Sequence, residues 1–246
     1  MSWTFPLALT FLTIFPWPRL PLAAPQDLAR SMFWFPWVGA VLGLTYWAAF
    51  QVMAKFLPDM AAAALLVALT AVATRGLHLD GLADALDGLG GGATPESRLA
   101  IMKDSRLGTF GAVGLILILL LKFAFFLGIA AQGKHAALMV FPVLSRWGMV
   151  LLAALSPYAR PEGGLGQAMT QGMSAGILTG ATLSAAIFSF LMSGVRGLAL
   201  MAGLALIIIT LLRPYFRRRL GGITGDVLGA VNELGEILVL AGVLVG

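Results

Sequence analysis

The sequence predicts an all-α, polytopic membrane bundle with about seven transmembrane helices and an active site on the cytoplasmic side, and three observations carry that prediction. The chain of 246 residues is 59% apolar and only 11% charged, with a mean hydropathy of +0.93. Its apolar runs are continuous rather than alternating in polarity, so they read as helices and not as barrel strands. Of its 11 acidic residues, all but Glu233 and Glu236 lie in or beside the short polar segments between those runs. Nothing reads as a linker, repeat or low-complexity tract, so residues 1–246 are expected to form a single membrane-embedded domain.

Taken in order, the first element is an apolar stretch from Met1 to Pro18 that lacks a basic leader and is interrupted by Pro6, Pro16 and Pro18. It reads as an interfacial or re-entrant segment with Trp3 and Trp17 at headgroup level, not as a signal peptide. Seven runs then approach the roughly 20 residues needed to cross a bilayer. They are Val38–Leu57, Met60–Leu79, Gly108–Ala131, His135–Leu155, Ser174–Ser193, Gly197–Leu212 and Val227–Gly246. The second is expected to give way to polar chain near Thr74, and the sixth is short.

Assigning alternate sides places Arg19, Arg30, Arg75, Arg98, Lys103, Arg106, Arg160, Arg213, Arg217, Arg218 and Arg219 at one end, against Lys55, Lys134 and Arg196 at the other. The first end is cytoplasmic by the positive-inside rule. A multi-pass protein of a bacterial inner (cytoplasmic) membrane is the expectation, with every chemistry-bearing loop facing the cytoplasm. A net charge of +5 does not imply nucleic acid here, because the basic residues are scattered and the aromatics are of the membrane type. The absence of cysteine excludes disulfides and thiolate metal sites. An oligomeric state is not legible, which leaves room for a homo-oligomer.

The densest polar motif reads His78-Leu-Asp80-Gly-Leu-Ala-Asp84-Ala-Leu-Asp87-Gly88. On a helix, steps of four and seven residues return close to the starting direction, so the three carboxylates share a face. A solvated loop is the plain alternative, but Leu79, Leu82, Ala83 and Leu86 make the segment an amphipathic helix pressed on the bundle. Hard oxygen ligands without cysteine point to magnesium or manganese. Gly88, Gly90, Gly91 and Gly92 follow, either as a turn or as backbone able to approach phosphate. Thr94 and Pro95 then mark a helix start, with Ser97 too short for a full capping box.

Lys103-Asp104-Ser105-Arg106 mixes both charge signs before the third span. It is either an interfacial anchor or a polyphosphate grip with Asp104 as ligand or base. Arg146 lies about 15 Å inside its span at 1.5 Å per residue, so it should face the interior, paired with a carboxylate or reaching for phosphate. Lys122 reads as a snorkelling residue. Asp226 and Glu233 are seven residues apart on one face of the last span, and Glu236 lies nearby; a buried pair with Arg146 competes with a role in the site. His78 and His135 are lone histidines, of which His78 borders the acidic cluster.

These residues resemble the cobalamin synthase family, the membrane-embedded adenosylcobinamide-GDP ribazoletransferases. The likeness rests on the 78–88 motif, on Ile101-Met-Lys-Asp-Ser-Arg-Leu-Gly-Thr-Phe-Gly111, Ser145-Arg-Trp147, Pro157-Tyr-Ala-Arg160 with Gly164-Leu-Gly166, and on Gly221-Gly-Ile-Thr-Gly-Asp-Val-Leu-Gly-Ala-Val-Asn-Glu233. Phe11-Leu-Thr-Ile-Phe-Pro16 and Phe35-Pro-Trp-Val-Gly39 extend it over nearly the whole chain. Ile14 stands where the family carries a basic residue, and Ala85 where threonine is usual.

The resemblance implies transfer of α-ribazole, or its 5′-phosphate, onto adenosylcobinamide-GDP with release of GMP. Mg2+ is the implied cofactor, held by Asp80, Asp84 and Asp87. The catalytic set would be Asp84, Asp87, Asp104 as base and Arg146, with His78, Gly90, Gly91, Lys103, Arg106, Arg160, Asp226 and Glu233 contacting substrate. Two other readings compete with it. Asp84-Ala-Leu-Asp87-Gly88 opens like the motif of CDP-alcohol phosphotransferases, but the downstream residues depart from it. A cation transporter should carry its ionisable groups near the midplane, where only Arg146, Glu233 and Glu236 are expected.

Overall fold

The computed structural model describes residues 3–245, so Met1 and Ser2 of the first segment and Gly246 of the predicted last span lie outside it. The chain forms α1 (Thr4–Leu12), α2 (Pro25–Ser31), α3 (Phe35–Phe56), α4 (Asp59–Ala73), α5 (Leu77–Gly91), α6 (Pro95–Ile101), α7 (Thr109–Ala131), α8 (Ala137–Leu155), α9 (Leu165–Gln171), α10 (Ala175–Ile207), α11 (Arg213–Leu220) and α12 (Gly225–Val245). No strand forms among the described residues, only an isolated bridge from Tyr158 to Ile223. Five helical runs are long and apolar enough to cross a membrane, or six if α4 and α5 count as one bent span.

The buried axis is α8, whose residues are nearly all inaccessible and against which α3, α10 and α12 pack. The approach of α3 is set by Gly39 and Gly43, where a Cβ would overlap the backbone of Pro142 and Met139 respectively. Small residues four apart let two helical backbones meet in lipid, where close packing rather than water expulsion drives association.

The predicted second span, Met60–Leu79, gives way at Thr74 as expected, but into a helix and not a loop: α4 stops at Ala73 and α5 departs at 86°. Its break has local causes. The Thr74 hydroxyl donates back to the Thr70 carbonyl at 3.1 Å, and Arg75 and Gly76 both adopt positive φ, +54° and +67°. Consequently α5 runs across the end of the bundle rather than through it.

The predicted pair Ser174–Ser193 and Gly197–Leu212 falls within the single helical run α10 and the wide turn Ile208–Leu212 after it. That run is not straight. Gly194 sits at φ +58°, ψ −145°, and a Cβ on Gly197 would overlap the Ser189 carbonyl. Eight residues of straight helix would separate those positions by about 12 Å. The chain therefore folds back at Gly194, near the predicted boundary.

The two ends of the bundle differ in chemistry. At one end Lys134 donates to the Val243 carbonyl at 3.0 Å, and Arg196 to the same carbonyl at 2.5 Å and to that of Gly242 at 3.3 Å. Both cations thus cap the C-terminal carbonyls of α12. The other end gathers α5, α6, the 102–108 and 157–164 loops and the start of α12 through side-chain contacts. Arg98 donates to the Arg219 carbonyl at 2.9 Å, Lys103 pairs with Glu162, and Arg160 pairs with Asp226.

Candidate active site

The polar end is organised around α5. Its buried face, including Leu82, Ala83 and Ala85, packs inward, as the amphipathic pattern predicts. At its crossing with α12, a Cβ on Gly229 would lie 3.3 Å from the Gly81 Cα. Asp80 and Asp84 line a cavity of about 540 Å³ with Arg75, Leu77, Ser105 and Leu107. On the other side, a cavity of about 250 Å³ is lined by Phe11, His78, Tyr158, Arg160, Met169 and Asp226. Leu77 and Asp80 border both.

Negative charge is under-compensated here. Burial, together with Asp80 and Asp226 nearby, pushes the Asp84 carboxyl up to about 6. The Arg160 guanidinium donates to Asp226 at 2.7 Å, and the Thr224 hydroxyl donates to the same carboxylate at 3.2 Å. Neither Asp80 nor Asp84 has an ion-pair partner among the described residues.

Asp87 has a different task from the one its spacing predicts. One carboxylate oxygen accepts the Gly108 N–H at 2.8 Å and the other accepts the Gly111 N–H at 2.8 Å. It caps the N-terminus of α7, where unsatisfied amides and the helix dipole favour an anion. The glycines after it form no phosphate-binding loop, because α5 stays helical through Gly91. They make room instead: a Cβ on Gly90 would collide with the Phe110 ring, and one on Gly91 would meet Ile101 at 3.3 Å. The Thr94 cap is more complete than predicted, since the Ser97 hydroxyl does reach the Thr94 N–H, at 2.9 Å.

The predicted phosphate grip is internally neutralised. Lys103 pairs with Glu162. Arg106 forms a forked contact with Asp104, its Nη2 at 2.5 Å from one oxygen. That contact holds the Asp104 carboxyl down at about 2. A carboxylate so stabilised is a weaker base than a free one.

Arg146 and Glu233 lie elsewhere, in a buried network that lines neither cavity. Lys122, 2% exposed, contacts Glu233 at 2.6 Å and Glu236 at 2.7 Å. Arg146, 1% exposed, pairs with Glu236 and with the Ser145 hydroxyl. Asn232 donates to Glu236 at 3.2 Å. The snorkelling role read for Lys122 is thus overturned, and the pairing of Arg146 with Glu233, the competing alternative to a role in the site, takes the form of Lys122–Glu233 and Arg146–Glu236 pairs. The signal was present in the sequence. Lys122 lies nine residues from the end of α7, about 13 Å deep, nearly the depth that marked Arg146 as inward-facing.

A divalent cation fits two of the three predicted carboxylates. Among the described residues no three His, Cys, Asp or Glu side chains come together as a metal cage. Asp80 and Asp84 do present unpaired hard oxygens one helical turn apart at the same cavity. Magnesium is commonly bound through one or two carboxylates plus substrate phosphate, so this partial set suits it. Asp87, whose two oxygens each accept a backbone amide, lines neither of these cavities and stands apart from that pair.

The profile of the family described as cobalamin-5-phosphate synthase matches residues 4–244. The chain is 45% identical to an adenosylcobinamide-GDP ribazoletransferase of Syntrophobacter fumaroxidans over 96% of each sequence. It is 41% identical to one from Geotalea daltonii over 95% of this chain and 94% of that one, and 39% identical to one from Pseudomonas putida over 98% of both. No solved structure matches.

Proposed function

The chain belongs to the cobalamin-5-phosphate synthase family, and from that premise we propose that it is a membrane-embedded transferase joining adenosylcobinamide-GDP to α-ribazole, or to its 5′-phosphate, with release of GMP. The observation that carries the choice of site is the pair of cavities meeting at Asp80, where Asp80 and Asp84 have no ion-pair partner among the described residues. Two substrates must meet at one phosphorus atom, and two cavities sharing a wall provide for that.

The larger, more open cavity suits the GDP portion of the donor. Its neighbour, walled by Phe11, Tyr158 and Met169, suits the flat base of the acceptor. The acceptor 3′-hydroxyl attacks the phosphorus bearing the cobinamide aminopropanol, a new P–O bond forms, and the bond to GMP breaks. Asp80 and Asp84 would hold magnesium, whose contribution when bound is to offset charge on the phosphates. Little covalent chemistry is asked of the protein beyond positioning the reactants and organising charge.

The direct test uses purified protein with adenosylcobinamide-GDP, α-ribazole and magnesium. Release of GMP that requires all three is expected, and release independent of α-ribazole would sink the transferase reading. The clustering of basic residues supports a cytoplasmic site in an inner membrane. With no native cysteine, Glu96→Cys should resist an impermeant thiol reagent on intact cells while Gln132→Cys reacts; the opposite pattern would invert the orientation.

A further inference from the structure

Every cation singled out from the sequence as a phosphate ligand is tied to a carboxylate. Lys103 is paired with Glu162, Arg106 with Asp104, Arg146 with Glu236 and Arg160 with Asp226. A diphosphate entering the larger cavity would nonetheless require a positive group. Arg75 is the one basic residue lining that cavity. It has no carboxylate partner among the described residues, and its guanidinium donates a single hydrogen bond, from Nη2 to the Thr10 carbonyl at 2.7 Å. A guanidinium carries five N–H donors in a planar fork, so most of its capacity remains for a ligand.

The backbone at this residue makes the same point. Arg75 has φ +54°, a conformation costly for any residue with a Cβ. Strain of this kind persists where surrounding structure enforces it and clusters at functional sites. Here the enforcement is visible on both sides. The Ile14 N–H donates to the Ala73 carbonyl at 2.8 Å, and the Arg75 side chain holds Thr10, so α1 clamps the α4–α5 break. Arg75 is thereby fixed in the lining of the same cavity as Asp80 and Asp84.

We propose that Arg75 binds the diphosphate of the donor substrate, completing a cavity whose acidic side takes a divalent cation. The assignment rests on the reading of this cavity as the donor site. It also explains why an arginine stands at a backbone position suited to glycine.

The test compares wild type with Arg75→Ala, Arg75→Lys and Arg75→Gly in detergent, with two readouts. GDP binding in the presence of magnesium, measured calorimetrically without acceptor, should weaken about tenfold or more in the alanine and glycine variants and less in the lysine variant. In turnover, the KM for adenosylcobinamide-GDP should rise in parallel while that for α-ribazole stays unchanged. The glycine variant, relieved of backbone strain, should melt no lower than the alanine variant. Equal GDP affinity in wild type and Arg75→Gly, or no measurable GDP binding by the wild type, would overturn the proposal. Lower melting temperatures with unaltered GDP affinity would reduce Arg75 to an anchor for α1. A wild-type protein that binds GDP through Arg75 yet releases no GMP would overturn the transferase reading and leave this assignment standing.

Discussion

At the α5 end of the bundle, Asp80 and Asp84 line a cavity and have no ion-pair partner among the described residues, whereas deeper in the bundle Glu233 and Glu236 are matched by Lys122 and Arg146. Asp226, close to Asp84, and Glu236 of the buried set are only ten residues apart on α12, about 15 Å of helix. What differs is access to water and ligand. Inside the bundle a lone charge is costly enough that each one must find its counter-ion within the chain. At the cavity, solvent tolerates charges left incomplete, and a ligand can supply what the protein omits. The closed charge set in the core thus reads as scaffold, and the open pair Asp80 and Asp84 marks the candidate site.

The largest effect that could break this contrast is expected at Lys122. Replacing it with Met leaves two buried carboxylates sharing one arginine and should cost about 3–5 kcal/mol of stability. Adding Glu233→Gln should recover much of that loss, since Arg146–Glu236 stays intact. Thermal unfolding in detergent checks both variants, and an unchanged melting temperature for Lys122→Met would mean that the quartet is no scaffold.

Asp80→Asn and Asp84→Asn should behave in the opposite way. Each is expected to melt like the wild type and to lose GMP release by roughly a hundredfold, because it removes the charge that would hold magnesium at the phosphates rather than a charge in the core. Activity within a few-fold of wild type would make them solvated carboxylates only.

Asp87→Asn sharpens the boundary between the two classes. Its carboxylate caps α7, so the substitution should cost about 1 kcal/mol through the helix N-terminus. The magnesium dependence of GMP release should not move; a right-shifted magnesium curve would return Asp87 to the metal.

The smallest effect is expected at Asp104. Its carboxyl is held down at about 2 by Arg106, so the contact is present above the ordinary carboxylate range and lost only as pH falls through that value. Around neutrality Asp104 therefore does not titrate. Asp104→Asn should keep GMP release within about threefold of wild type, with an unshifted pH–rate profile, as for an exposed ion pair. A large fall in rate with loss of the acidic limb of that profile would restore it as a proton acceptor.

Periodicity and polarity sufficed for the rods and for the end at which the chemistry gathers, because both follow from local hydrophobic length and from basic-residue counting. The pairing of charges did not follow. Asp87 shares a helical face with Asp80 and Asp84, yet only the arrival of α7 decides that its oxygens meet the Gly108 and Gly111 amides. Lys122 was legible in depth but not in partner, since Glu233 lies more than a hundred residues away. The Arg75 backbone leaves no mark in composition, for a positive φ at arginine is imposed by the α1 clamp. Gly194 was legible only as a gap between two predicted runs, although its conformation makes the turn.

The crossing of α5 over α12 has a mechanical consequence. A Cβ at Gly81 would stand 2.9 Å from the Asp226 carbonyl, so main chain rests on main chain with no side chain between to be trimmed or repacked. The span between Asp80 and Asp226, on the two sides of that contact, is then a fixed gauge set by the thickness of two polypeptide backbones. Ordinary drift in core residues cannot retune it. A methyl group at either glycine would act as a shim, prying the cavities apart by an amount that no neighbouring substitution could take back.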